Sequence, residues 1–152
     1  DRLMNTTTPL TLLDPERVAR TLPAGLVDFA GRTMLALIFI LSGYAKLGGY
    51  EGNLAYMASA GVPGFLLPPA IALELLGGIA LVLGFQTRLM ALLLAIFSVS
   101  SAILFHADLA DQMQFIMFFK NIAMAGGLLL LTVHPLGDWT LDRKLLARPA
   151  HA

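Results

Sequence analysis

Four apolar runs, broken only by small residues, prolines and single charges, fill residues 26 to 133 of this 152-residue chain. Crossing a hydrocarbon layer roughly 30 Å thick takes a helix of about 20 residues, within a range of about 17 to 25. The runs therefore predict helices over residues 26–47, 68–85, 88–105 and 115–133. Asp28 and Arg32 sit in the opening turns of the first, leaving a shorter apolar stretch from Thr33 to Ala45. Both charges are expected at head-group depth, with Arg32 snorkelling outward. The fold class is all-α: a four-transmembrane-helix bundle with a short N-terminal surface helix and an interfacial segment between helices 1 and 2.

Polar and punctuating residues predict the rest. Asp14-Pro15-Glu16 supplies an N-cap, a proline at the first helical position and an acid in the first turn. In the short helix that follows, Val18 and Leu22 would share a face while Arg17 and Arg20 turn toward phosphate head groups. An ordered cytosolic arm is the equal alternative. Between helices 1 and 2, Leu54, Met57 and Ala58 fit one face of an amphipathic helix ending at Gly61 before Pro63. This segment is an aromatic anchor at the outer interface or a lid over whatever lies beneath. After helix 4, Pro135-Leu136-Gly137-Asp138-Trp139 reads as a turn that sets Trp139 at head-group level. The organisation is an arm at 1–25, a membrane domain at 26–134 and a tail at 135–152. Beginning at Asp1 rather than Met, the chain is expected to be processed or to lack its true start, and no signal peptide is legible.

Composition and charge narrow the class. Charged residues make up 13% of the chain, about half the usual share, so lipid must supply the polar coat's substitute. Ten basic and ten acidic residues cancel, leaving no net field to draw in nucleic acid or anionic substrates. Cysteine is absent, which excludes disulfides, thiolate metal sites, iron–sulfur clusters and covalent c-type haem, so any redox role must borrow a cofactor. No metal site is expected. Arg2, Arg17, Arg20 and Arg32 precede helix 1, Arg88 links helices 2 and 3, and Arg143, Lys144 and Arg148 follow helix 4. By the positive-inside rule both termini are cytoplasmic and the other two loops face outward.

That topology assigns depths to the polar residues inside the runs. Glu74 in helix 2 and Lys120 in helix 4 are each about six residues, or about 9 Å, from the outer surface. An ionised group in hydrocarbon costs about 2.5 to 3.5 kcal/mol on insertion scales, so the two are expected to pair. Asn121 or the Ser42 hydroxyl would take the remaining donors. Lys46, His106 and Gln114 fall at the outer rim, while the inner half is aliphatic apart from small residues and Ser98. The candidate ligand-binding set is thus Glu74, Lys120, Asn121, His106, Lys46, Gln114 and Ser42, with no catalytic residue. A pair that only fixes helix register is the competing reading. Ser42-Gly43, Gly77-Gly78 and Gly126-Gly127 sit where helices in lipid bring their backbones close.

Arg32, then Phe39-Ile40-Leu41-Ser42-Gly43-Tyr44-Ala45-Lys46-Leu47, then Glu74-Leu75-Leu76-Gly77-Gly78 with Gly84 and Thr87-Arg88, then Phe119-Lys120-Asn121-Ile122-Ala123 with Gly126-Gly127, and finally Trp139-Thr140-Leu141-Asp142 form a spaced set. The set, spanning about residues 29 to 142, resembles the DoxX family of small four-helix membrane proteins. The resemblance implies a multi-pass protein of the bacterial or archaeal cytoplasmic membrane. It also implies association with quinone-linked oxidation of sulfur compounds, or with oxidoreductase assemblies that respond to oxidative stress.

Chemistry limits the ligand. His106 and His134 fall at opposite membrane faces and His151 lies in the tail, so an internal bis-His haem is untenable. A quinone needs only an apolar slot for its tail and polar groups at its carbonyls, one of them able to exchange a proton. Lys120 and His106 would be the donors and Glu74 the proton carrier. The leading expectation is a membrane subunit of a quinone-linked oxidoreductase assembly, not catalytic alone, whose partners are the lipid bilayer and other protein subunits. A non-catalytic structural or assembly subunit is the alternative. Proton or cation conduction ranks below both, because the inner half offers no further ionisable residue.

Overall fold

The computed structural model describes residues 22–147, and all of their regular structure is helical. The expected surface helix from Asp14, with Arg17, Val18 and Arg20, lies outside the described residues, as do Arg148 and His151. Six helices follow in order: α1 (Ala24–Gly48), α2 (Tyr50–Ser59), α3 (Gly64–Leu83), α4 (Thr87–Phe105), α5 (Gln112–Val133) and α6 (Leu141–Leu146). Of these, α1, α3, α4 and α5 are long and apolar enough to cross a membrane. The chain is a four-helix membrane protein.

Helix ends follow local chemistry. The interfacial helix α2 ends in a left-handed glycine, Gly61 at φ +70°, and the Val62 amide donates to the Met57 carbonyl at 2.9 Å. Val62 also packs with Met57, the apolar contact that accompanies this kind of helix stop. At the far end of α3, Gly84 at φ +67° does the same, with the Phe85 amide donating to the Ala80 carbonyl at 2.9 Å. Two spans start earlier than their hydrophobicity suggests. The helix α5 begins at Gln112, not near Phe115, because the Asp111 carboxylate accepts from the Gln114 amide at 2.8 Å and caps a polar first turn. The helix α3 begins at Gly64 with a 3₁₀ turn, ahead of Pro68 and Pro69.

Packing runs around the bundle: α1 on α3, α3 on α4, and α4 most extensively on α5. Contact between α5 and α1 is sparse, so α3 and α5 stand across the bundle from one another. Ala36, Phe39, Leu81, Leu94, Ala95 and Leu128 form the main core. Small residues set the close approaches, as expected for helices in lipid. A Cβ on Gly78 would come within 2.7 Å of Ile40 Cγ1, and one on Gly43 within 2.9 Å of Leu75 Cγ. Gly127 faces Leu35, but Gly126 faces open space and makes no such approach.

The end of the bundle where α1 begins and α5 finishes, the basal end, is closed by Arg32. This guanidinium is 1% exposed rather than snorkelling outward. It donates to Asp28 Oδ2 at 3.0 Å, to the Leu81 and Val82 carbonyls and to the Trp139 carbonyl at 3.2 Å. The last carbonyls of α3 are short of donors, that of Leu81 having otherwise only the capping Gly84 amide at 3.2 Å, and carry the negative end of its dipole, so a fixed cation there satisfies both needs. The tail contributes too. Asp142 accepts from the Gln86 and Thr87 amides at 2.7 and 2.8 Å, capping α4 from a distant segment. Thr140 Oγ1 caps the short α6 that carries Asp142 by accepting from the Arg143 amide at 3.3 Å.

Candidate functional site

The opposite, distal end is hollow. A cavity of about 560 Å³ lies between the four spanning helices, with α2 over it through Asn53, Tyr56 and Met57. The Tyr56 ring stacks on Phe105 at 5.3 Å, which joins this cover to the end of α4. The segment is therefore seated over the cavity rather than lying apart as a surface anchor.

Glu74 reaches the cavity from an irregular turn of α3. Residues Leu73–Gly77 form a π-helical turn, one residue wider than its neighbours, of the kind often found where a helix serves a site. The Glu74 carboxylate is 3% exposed. Its partner is Lys46, not Lys120. Lys46 Nζ donates to Glu74 Oε1 at 2.9 Å, to Oε2 at 2.8 Å and to Ser42 Oγ at 2.6 Å. All three ammonium protons thus have acceptors.

Local sequence explains the exchange of partners. Gly43 lets α1 approach α3 so closely that a Cβ there would lie 3.1 Å from Glu74 Cβ. Ser42 and Lys46, four residues apart, share the flank of α1 beside that contact. From it the lysine stem spans the gap between its rim position and the deeper acid. With α3 beginning at Gly64, Glu74 lies ten residues into its helix rather than six, and α5 lies across the bundle, so Lys120 reaches the cavity from the other side. Lys120 Nζ donates to Met117 Sδ at 3.1 Å and forms no ion pair among the described residues.

Six of the seven expected residues line the cavity: Ser42, Lys46, Glu74, His106, Lys120 and Asn121. Gln114 does not, but its Oε1 lies 2.9 Å from His106 Nδ1 and holds that ring at the rim. With the amide oxygen as acceptor, Nδ1 carries the proton and Nε2 is left as an acceptor. Sequence reasoning assigned Ser98 to the aliphatic half, yet it lines the cavity floor, its hydroxyl donating to the Leu94 carbonyl at 2.8 Å. Asn53, Tyr56, Ser100 and Ser101 were also missed. The serine run at Ser98-Val99-Ser100-Ser101, unusual inside a spanning helix, was the signal available. Most of the remaining wall is apolar, including Leu66, Leu104, Phe97 and Met124. Among the described residues no cluster of His, Asp or Glu could hold a metal ion.

Known proteins place the chain. Over 114 residues it is 43% identical to the inner membrane protein YqjF of Escherichia coli (strain K12), covering 75% of this chain and 88% of that protein. It is 37% identical over 120 residues to the inner membrane protein YphA of the same organism, covering 74% and 86%. A shorter stretch of 65 residues is 34% identical to a Bacillus subtilis (strain 168) protein named "Putative oxidoreductase CatD", covering 43% and 48%. No solved structure matches. The family profile described as DoxX matches residues 27–107, a stretch that holds nearly all of α1, the α2 cover, the Lys46–Glu74 pair and His106, and the chain belongs to that family.

Proposed function

We propose that this protein is the membrane subunit of a quinone-linked oxidoreductase assembly and binds a quinone-like ligand in the distal cavity. The observation that carries the reading is the combination of a mostly apolar cavity with a part-buried, hydrogen-bonded Lys46–Glu74 pair on one wall and Lys120 on another. A volume of about 560 Å³ falls in the range of roughly 300–1,000 Å³ typical of small-molecule sites, which are mostly apolar with a few placed polar groups. A quinone, when bound, supplies two-electron, two-proton chemistry that no side chain of this chain offers. Leu66, Phe97, Leu104 and Met124 would hold its apolar parts. Lys120 would meet a carbonyl oxygen, His106 Nε2 would accept from a ring hydroxyl, and Glu74 would accept or return a proton while Lys46 keeps its charge compensated.

The oxidoreductase class is supported by the name of the Bacillus subtilis relative, and the membrane setting by the two Escherichia coli relatives. The basic residues collect at the basal end, at Arg32, Arg88, Arg143 and Lys144, so that end is assigned to the cytoplasm and the cavity to the outer half. The redox centre itself belongs to a partner subunit.

The test is equilibrium binding of a short-chain ubiquinone or menaquinone analogue to the protein in nanodiscs. The double variant Lys46→Met, Glu74→Gln removes both charges together and leaves no buried ion unpaired. About a tenfold loss of affinity is expected, equivalent to about 1.4 kcal/mol. Unchanged affinity would discard the site and leave an assembly subunit whose charge pair serves the fold alone.

A further inference from the structure

The charges around the cavity do not balance. Lys46 and Glu74 neutralise each other, His106 is held through Gln114, and no second acid lines the walls. Lys120 remains, eight residues into α5 and so about 12 Å from its start, bonded to nothing better than a thioether sulfur. A lone ammonium at membrane depth is costly, and spanning helices keep such a group chiefly where something compensates it. Beside it, Asn121 is only 9% exposed, lines the same cavity, and hydrogen-bonds no described residue through its amide. Two neighbouring donors, the exposed Lys120 ammonium and the nearly buried Asn121 amide, line one mostly apolar space, and neither has an oxygen of the described residues as acceptor.

We propose that the ligand's polar head carries a single negative charge, with Lys120 as its counter-ion and the Asn121 amide as a second donor. The occupant is an amphiphilic monoanion: an oxyanion on an apolar body, such as an ionised ring-hydroxylated quinone or a long-chain carboxylate. This rests on the reading of the cavity as a ligand site and narrows what that site accepts. Charge selects the head, because a neutral carbonyl leaves the Lys120 ammonium uncompensated, whereas an oxyanion forms a charge-assisted bond with it. The Lys46–Glu74 pair supplies no competing net field, being neutral as a unit.

Binding of three probes to the nanodisc protein at pH 8 separates the possibilities: a 2-hydroxy-3-alkyl-1,4-naphthoquinone, ionised there, its neutral 2-methoxy counterpart, and a long-chain fatty acid. The hydroxy compound should bind at least about tenfold tighter than the methoxy one. That preference should vanish in Lys120→Met and survive in Lys120→Arg, with methoxy binding reporting that each variant is folded. Equal affinity for the two naphthoquinones overturns the charge inference and leaves the quinone reading standing. Lys120-dependent binding of the fatty acid without either naphthoquinone supports the anion site and discards the quinone. A preference unchanged in Lys120→Met shows a lysine that only reaches for the membrane surface, and overturns the assignment. Failure of all three probes to bind overturns both readings.

Discussion

Arg32 and Lys46 stand fourteen residues apart on α1, one at the basal end and one at the distal end, and each bonds to α3. Arg32 fills its surroundings. Its guanidinium bonds Asp28, two carbonyls at the end of α3 and one in the tail, and only about 10 Å³ of space remains in the small void beside it. Lys46 is equally well bonded, yet it and Glu74 border about 560 Å³ of open volume. A charge network closed on all sides is what a fold needs to hold helix ends together. One closed on the protein side and open on the other leaves room for a ligand.

The largest expected effect falls at the closed end. Arg32→Met leaves Asp28, only 8% exposed, without its cation and removes the side-chain donor from the Leu81 and Val82 carbonyls. Breaking a buried pair from one side typically costs about 3–5 kcal/mol. Thermal unfolding in detergent should show a loss of that order, while the fraction still folded should bind cavity probes with unchanged affinity. A loss of binding in folded Arg32→Met protein would erase the distinction between the two ends.

At the open end the comparison sharpens through a double-mutant cycle. Lys46→Met strands the Glu74 carboxylate, 3% exposed, and should cost about 2–3 kcal/mol. Adding Glu74→Gln should recover most of that, to within about 1 kcal/mol of the parent, because an uncharged pair needs no compensation. Glu74→Gln alone should cost less than Lys46→Met, since Lys46 is 24% exposed and keeps the Ser42 hydroxyl. Strict additivity of the two substitutions would mean that the pair is not coupled.

Much of this arrangement was legible in the chain. The four spans follow from length and hydropathy. The residues that gather at the distal cavity were found because ionisable groups are rare enough in apolar runs to be conspicuous. Who pairs with whom was not legible, because depth along the membrane is one coordinate and pairing needs the order of helices around the bundle as well. Gly43 carried that information: its missing side chain brings α1 onto α3 and hence Lys46 onto Glu74. Arg32 was misplaced for a related reason. Outward snorkelling was the cheapest arrangement for it until the carbonyls of Leu81 and Val82 came into reach, and those acceptors come from a contact between distant segments.

A smaller effect belongs to the tail. Asp142 caps α4 across 55 residues of sequence, accepting from the Thr87 amide, so Asp142→Ala should cost about 1 kcal/mol, the usual worth of an N-cap. Hydrogen exchange should rise at the first turn of α4 and stay unchanged near the cavity. Exchange rising at both ends would mean that the basal clasp holds the distal cavity open.

The smallest stability effect, and the one of opposite sign, is expected at Lys120. Replacing Arg32 or Lys46 removes a cation that the protein has already satisfied, whereas Lys120→Met removes one for which the described residues supply no anion. The methionine retains most of the stem's length and apolar contacts. Unfolding should therefore shift by no more than about 0.5 kcal/mol, and toward greater stability if it shifts at all, since the cost of holding an ammonium at that depth disappears. Ligand added in excess should reverse the order. A monoanionic amphiphile would stabilise the parent in proportion to its binding and leave Lys120→Met behind. A large destabilisation in the ligand-free protein would put Lys120 with Arg32 among the residues that hold the bundle together.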